Sequence, residues 1–142
     1  MDPNVNRIKR EVSLWDRISL HPHRFEGEEF RFGEAEIGHL HREGILDIPF
    51  PRSIRDALLE RGLAEQHHFL PNSGWVTFRV QSETDVAHAI RLLRISYLRY
   101  QLKQDPDPHD LLERESAVLG LDSRLRSLLE VFIPRMAAIA DR

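Results

Sequence analysis

The chain of 142 residues contains no cysteine, which excludes disulfides, thiolate metal ligands and a cysteine nucleophile. No apolar run approaches the roughly 20 residues that are needed to cross a bilayer. The N-terminal stretch "MDPNVNRIKREV" also lacks the apolar core of a secretory signal. We therefore expect a cytoplasmic protein that has no membrane partner.

An excess of basic charge is missing as well. The chain has 20 basic and 23 acidic residues, and its formal net charge is -3. Because affinity for nucleic acid depends largely on basic side chains that neutralise phosphates, the sequence argues against a nucleic-acid partner. The chain has no P-loop, no Gly-x-Gly-x-x-Gly and no Gly-x-Ser-x-Gly motif, so no common reaction class is indicated.

The hydrophobic pattern that is present is typical of an α+β domain. Helical spacing predicts a first helix, and an alternation of period two then predicts three short antiparallel strands. After a second helix, the stretches "EQHHFL" and "WVTFRV" predict two more strands. The predicted order is α-β-β-β-α-β-β-α, a two-layer antiparallel sheet with helices on one face. The predicted helices cover residues 3–18, 53–61 and 83–104.

The segment "DPDPHD" separates a core domain, residues 1–104, from a C-terminal helical extension, residues 105–142. The long helix before this break carries a second apolar stripe that one sheet cannot cover. We expect the C-terminal helices, whose apolar face reaches Met136 and Ile139, to cover it. They can do so in cis or by exchange with another protomer, which would form a homodimer, and the sequence leaves both open.

Two histidines of the stretch "EIGHLH" are the first candidates for a site. If the strands that flank Gly33 pair regularly, Phe30 lies opposite Ile37, and His39 and His41 share their face of the sheet. We expect that face to be the apolar one that the helices cover. The earlier "HPHRF" is interpreted as a loop that leads into the sheet.

Asp47 falls opposite His39 if the strands on either side of the turn "REG" pair symmetrically. In the second predicted hairpin, His67 lies on the apolar face and His68 on the opposite face, beside Trp75. His67, His68 and Trp75 are further ligand-binding candidates, and Trp75 could act as a surface for stacking.

His39, His41 and Asp47 suit three kinds of chemistry. Two imidazoles and a carboxylate can bind Zn²⁺ and leave one position for water. The same groups can act as an acid–base pair, or they can be buried polar residues that hydrogen-bond within a small core. The sequence favours the structural interpretation and leaves the other two open, because a His-x-His pair on a strand is a weak signal.

Five stretches lie between about Leu20 and Tyr100: "HPHRF", "FGEAEIGHLH", "DIPFP", "HHFLPNSGWVTFRV" and "LLRISYLRY". Together they resemble a small family known as the luciferase-like domain. The resemblance implies no light emission, since a flavin-dependent (β/α)₈ barrel needs about 250 residues. The element order also resembles YjbR-like proteins and type III secretion chaperones, an analogy of topology alone.

These observations favour a small non-catalytic ligand- or protein-binding module. The alternative is a small metal-dependent or acid–base enzyme that uses the histidine and aspartate residues. Nucleic-acid binding by analogy with YjbR-like proteins is a third hypothesis, which the charge balance disfavours.

Overall fold

The structure is a computed structural model that describes residues 2–23 and 27–135. It divides into two compact units, Met1–Ser96 and Tyr97–Arg142. The predicted apolar positions Met136 and Ile139 lie outside the described residues. The helices are α1 (Pro3–Ser13), α2 (Arg52–Glu60), α3 (Thr84–Gln101), α4 (Pro108–Leu119) and α5 (Ser123–Glu130). The strands are β1 (Ile18–His23), β2 (Gly27–Phe32), β3 (Ala35–His41), β4 (Ile45–Pro49), β5 (Glu65–Gln66) and β6 (Trp75–Arg79).

The strands form one antiparallel sheet in the order β1-β2-β3-β4-β6-β5. The α+β fold class is therefore confirmed. In the described part of the chain, four strands rather than the predicted three precede α2. The additional strand is β1, at one edge of the sheet.

The boundary between α1 and β1 differs from the prediction. Asp2 caps α1 by accepting a hydrogen bond from the backbone amide of Asn4. The helix ends at Ser13 instead of near residue 18, and the predicted "HPHRF" loop begins inside β1. A proline is tolerated there because an edge strand leaves one row of backbone groups without a ladder partner.

A β-bulge lies between β2 and β3. Arg31 pairs with Glu36, but Phe30 pairs with Gly38, so Ile37 is an extra residue on β3. The predicted pairing of Phe30 with Ile37 is therefore wrong. Since side chains alternate between the two faces of a sheet, the extra residue reverses the face of every later residue of β3 relative to the prediction.

Gly38 identifies the face that α3 covers. A methyl group built on Gly38 would lie 2.7 Å from Cδ2 of Leu93 in α3, so this glycine allows the helix to approach. Its neighbours His39 and His41 therefore point to the opposite face, and the prediction that they lie on the helix-covered face is wrong. We call the side of Gly38 the helix face and the side of His39 the histidine face. The helix face carries buried apolar residues, among them Phe30, Leu40, Leu46, Ile48 and Val76.

The second predicted hairpin is also shorter than expected. The stretch "EQHHFL" contributes only Glu65 and Gln66 to the sheet, paired with Thr77 and Val76. The residues that follow leave the sheet and form a loop before β6, so the predicted faces of His67 and His68 do not apply. A smaller correction concerns α2, which begins at Arg52 after Pro51 rather than at the predicted residue 53, and which has no side-chain cap.

The second unit contains the end of α3, followed by α4 and α5. Asp107 and Asp122 cap the two later helices by accepting backbone hydrogen bonds from Asp110 and Leu125. Gly120 ends α4 with a φ of 64°, a left-handed conformation that favours glycine. In the part of the chain that the structure describes, no helix is long and apolar enough to span a membrane. The predicted domain boundary at residue 104 and the homodimer both stay predictions.

Candidate functional site

The carboxylate of Asp47 lies at the centre of the histidine face. Cross-strand pairing places Asp47 between His39 on β3 and Thr77 on β6. The pairing of His39 with Asp47 agrees with the register expected across the turn "REG". The Asp47 side chain is only 1% exposed. Both cross-strand partners, His39 and Thr77, contact its carboxylate.

Three imidazole nitrogens converge on one oxygen of this carboxylate. The Nε2 atoms of His39, His41 and His68 lie 3.3, 3.2 and 3.1 Å from Oδ2 of Asp47. A carboxylate oxygen offers two lone pairs, so three donors exceed what it accepts in good geometry. The arrangement is therefore unusual for an ordinary buried hydrogen-bond network.

The second oxygen of Asp47 has different neighbours. The hydroxyl of Thr77 donates a hydrogen bond to Oδ1 at 2.6 Å. Nε2 of His67 faces the same oxygen at 3.6 Å, a distance of electrostatic attraction rather than of a hydrogen bond. Burial by itself raises the pKa of a carboxyl group, but contacts with His39, Thr77 and His68 outweigh it and hold the pKa of Asp47 well below its usual range.

The bulge brings a second carboxylate to the far side of His39. Nδ1 of His39 lies 2.6 Å from Oε2 of Glu36, three residues earlier on the same strand. In a regular strand, residues three apart point to opposite faces, so this contact depends on the extra residue Ile37. Burial lowers the pKa of His39, but the hydrogen bonds to Asp47 and Glu36 more than offset it and raise that pKa to about 9.

His41 is positioned by the strand that lies opposite. Its partner across the ladder is Gly27 on β2. A methyl group on Gly27 would lie 3.2 Å from Nδ1 of His41 and 3.0 Å from the backbone oxygen of Leu40. The absence of a side chain at Gly27 therefore leaves room for the imidazole ring.

The loop between β5 and β6 brings His67 and His68 to the site. Nδ1 of His67 accepts hydrogen bonds from the backbone amides of Phe69 and Leu70 at 3.1 and 3.0 Å, which closes a tight turn. Burial and the neighbouring histidines lower the pKa of His67, although Asp47 acts in the opposite direction. The turn therefore holds a neutral imidazole against the carboxylate.

The end of this loop is fixed against the chain just after β4. The amide of Phe50 donates to the carbonyl of Gly74, and Arg55 donates to the carbonyl of Ser73. A methyl group on Gly74 would lie 1.9 Å from the backbone oxygen of Phe50, so only glycine fits at this position. The loop is thus built to a defined path over the histidine face.

Aromatic rings form the rim of the site. The ring of Trp75 lies 5.3 Å from that of His39 and 5.9 Å from that of His67, and Phe69 lies 4.3 Å from His68. Phe69 is 78% exposed, and the His68 side chain is 24% exposed. Solvent therefore reaches the site most readily beside His68. The ring of Trp75 thus lies beside His39 and His67, and its role as a surface for stacking stays a prediction.

Among the residues that the structure describes, two groups of three bring possible metal-ligand atoms within 4.8 Å of one another. The first is the set chosen from the sequence, His39, His41 and Asp47, and the second is Asp47 with His67 and His68. All six candidates, including Trp75, thus lie in one cluster. Sequence reasoning missed Glu36 and Thr77, and only the place of Glu36 beside the His-x-His pair pointed to it.

A family model described as the luciferase domain matches residues 34–96. Over this segment the chain is similar to the luciferase domain family. The agreement bears out the resemblance seen in the sequence, whereas the YjbR-like resemblance finds no support. The chain matches no curated protein and no solved structure.

The luciferase domain segment contains every candidate side chain around Asp47, from Glu36 on β3 to Thr77 on β6. It also contains α2 and the part of α3 that covers the helix face. Strands β1 and β2 precede it, so Gly27, which leaves room for His41, comes from outside the matched segment.

Proposed function

We propose that the first unit is a metal-binding module in which His39, His41 and Asp47 bind a divalent ion of the zinc type. One observation carries the proposal. Nε2 of His39 and Nε2 of His41 already lie 3.3 and 3.2 Å from Oδ2 of Asp47. In a tetrahedral zinc site with bonds of about 2.0 to 2.2 Å, neighbouring ligand atoms are separated by about 3.3 Å. A zinc ion therefore needs little rearrangement of these side chains.

The contact between His39 and Glu36 supports the same proposal. Histidines that bind metals commonly donate their other ring N–H to a carboxylate, which fixes the tautomer and the direction of the ring. Glu36 is in position to accept from Nδ1 of His39, leaving Nε2 for the ion. The two carboxylates also give the site negative charge, which favours a cation.

His68 borders the fourth coordination position. Its Nε2 is 3.1 Å from the same oxygen, but its side chain is the most exposed of the three histidines around Oδ2. We assign this side of the ion to an exchangeable ligand, water in the absence of any other. The proposed function is therefore a binding role, as the sequence favours. Its ligand residues are those of the alternative hypothesis of a metal-dependent enzyme.

An acid–base role is less well supported than metal binding. A general base needs a pKa near the working pH, so that it can accept a proton. With its pKa raised to about 9, His39 in the metal-free protein already holds its proton at neutral pH. Asp47, with its lowered pKa, is a poor base for the same pH range.

Elemental analysis of protein purified without a histidine tag tests the proposal. We expect close to one equivalent of a transition metal per chain, and a melting temperature that falls on chelation and recovers with Zn²⁺. Asp47→Asn, which preserves shape, should lose the ion.

His109→Gln is the matched control, because His109 is exposed on α4, in the second unit. It should bind metal like the wild type. A wild-type protein with no bound metal, and with a melting temperature that Zn²⁺ leaves unchanged, would overturn the proposal.

A further inference from the structure

The two carboxylate oxygens of Asp47 face different groups. Oδ2 faces the Nε2 atoms of His39, His41 and His68, whereas Oδ1 faces Thr77 and His67. A carboxylate binds a metal through one oxygen or through both, and the choice changes the coordination number of the ion. What occupies Oδ1 therefore bears on which ion fits.

Thr77 holds Oδ1 through a short hydrogen bond. It lies directly opposite Asp47 in the ladder between β4 and β6, and it is 1% exposed. A β-branched side chain such as threonine has few χ1 rotamers, so its hydroxyl direction is well defined. The 2.6 Å bond from this hydroxyl thus fixes the rotation of the carboxylate.

His67 directs a protonated ring nitrogen, Nε2, toward Oδ1 of Asp47. Because its Nδ1 accepts two backbone N–H groups, that nitrogen carries no hydrogen, and the neutral ring must carry its proton on Nε2. Nδ1 is thereby occupied and Nε2 is protonated, so neither nitrogen is available to an ion. The group formed by Asp47, His67 and His68 is accordingly not a ligand set while this turn is closed.

We infer that Thr77 and His67 are positioning residues that restrict Asp47 to a single ligand oxygen, Oδ2, and so make the site selective for ions that accept four ligands. Zn²⁺ and Co²⁺ accept such a site, whereas Mg²⁺, Ca²⁺ and Mn²⁺ favour more oxygen ligands. The inference rests on the proposed metal site. It adds the class of ion and the two residues that determine it.

Substitution with Co²⁺ gives a direct readout, since four-coordinate Co²⁺ absorbs visible light much more strongly than six-coordinate Co²⁺. We expect the wild type to show the intense spectrum. Thr77→Val, which removes the hydroxyl and keeps the shape, should weaken absorption per bound ion. It should also reduce the preference for Zn²⁺ over Mn²⁺ by roughly tenfold, a change of the size that loss of an outer-shell partner commonly causes in metal affinity.

Two threonine variants control this experiment. Thr77→Ser keeps the hydroxyl and should retain the wild-type spectrum. Thr84→Val makes the same substitution at an exposed position at the start of α3, and it should change nothing. If Co²⁺ bound to Thr77→Val gives the wild-type spectrum, and the preference for Zn²⁺ over Mn²⁺ is unchanged, the inference is overturned while the proposed metal site stands. A weak six-coordinate spectrum in the wild type has the same consequence.

The role of His67 has its own test. Asparagine at position 67 can still accept the backbone amides of the turn, but it offers no Nε2. We expect His67→Asn to keep stoichiometric Co²⁺, while His39→Asn loses it. Loss of the ion from His67→Asn, in protein that is folded by circular dichroism, would make His67 a ligand and overturn its assignment. Equilibrium dialysis that finds no Co²⁺ in the wild type would overturn the proposed site as well.

Discussion

The two faces of the sheet in the first unit are made from alternate residues of the same strands, yet they differ in almost every property. Gly38, Leu40 and Leu46 belong to the helix face, where buried apolar side chains and α3 supply the core. Their immediate neighbours His39, His41 and Asp47 belong to the histidine face. This face is also largely buried, but it holds charge and hydrogen bonds. The difference indicates that the helix face supplies the apolar core, whereas the other side holds a buried cluster of polar and charged groups.

The largest expected effect comes from a change on the helix face. Leu40→Ala removes a side chain that is 1% exposed, so we expect unfolding free energy to fall by about 2 to 5 kcal/mol. Urea denaturation of the metal-free protein measures this loss. Metal binding by the folded fraction should be retained, in contrast to Asp47→Asn.

Leu14→Ala is the matched control for that variant, because Leu14 is 85% exposed. Its cost should stay within about 0.5 kcal/mol. If Leu40→Ala is still folded but loses metal as completely as Asp47→Asn, the helix face and the histidine face do not have separate roles in stability and in metal binding.

The next largest effect is a pH dependence that belongs to the histidine face. The pKa of His39 is about 9 in the folded metal-free protein, above its ordinary value of about 6.5 in an unfolded chain. Its contribution to stability is therefore fully present below about pH 6.5 and is lost as the pH rises through about 9. The loss should be on the order of 1 to 3 kcal/mol, measured by urea denaturation with chelator present.

His39→Gln should flatten this part of the stability profile, whereas His109→Gln should leave it unchanged. The lowered pKa of Asp47 acts in the other direction: its contribution is present above its ordinary pKa and is lost on acidification. A wild-type stability that is constant from pH 6.5 to 9 contradicts the assignment of a charged His39 between two carboxylates.

The smallest expected effect concerns the contact between β2 and the site. In Gly27→Ala the new methyl group would lie 3.0 Å from the oxygen of Leu40 and 3.2 Å from Nδ1 of His41, so the ring must shift slightly. We expect a stability cost of about 1 kcal/mol and a fall of several-fold in zinc affinity. Competition with a chromophoric chelator measures the affinity.

Gly33→Ala serves as the comparison, since a methyl group there meets no atom within 4 Å and only its φ of 60° is unfavourable. It should cost stability without changing zinc affinity. Equal zinc affinities for wild type and Gly27→Ala would show that the fit of His41 against β2 is not important for the site.

Much of this arrangement was predictable where it depends on short-range patterns. The turn "REG" is three residues long, and counting outward from it correctly paired His39 with Asp47. The alternation of apolar and polar residues likewise gave the α+β class. The luciferase-like resemblance, assigned to about Leu20 to Tyr100, includes the shorter segment, residues 34–96, that the family model matches.

The prediction failed at one residue, Ile37. The bulge there moved His39 and His41 to the opposite face, because a one-residue change in register reverses every later side chain. The same bulge explains why Glu36 was missed, since residues three apart on a regular strand do not meet. His67 and His68 were misplaced for a different reason: their segment follows a hydrogen-bonded turn rather than a strand ladder.

The sequence by itself determined the strands on either side of the turn at "REG", and therefore the opposition of one imidazole and one carboxylate. Only the tertiary structure decided on which face they lie and which other groups join them. The physical reason is that the bulge at Ile37 and the loop that begins at His67 depend on contacts with distant parts of the chain. These contacts include Leu93 against Gly38 and Phe50 against Gly74. No local pattern in the sequence encodes such contacts.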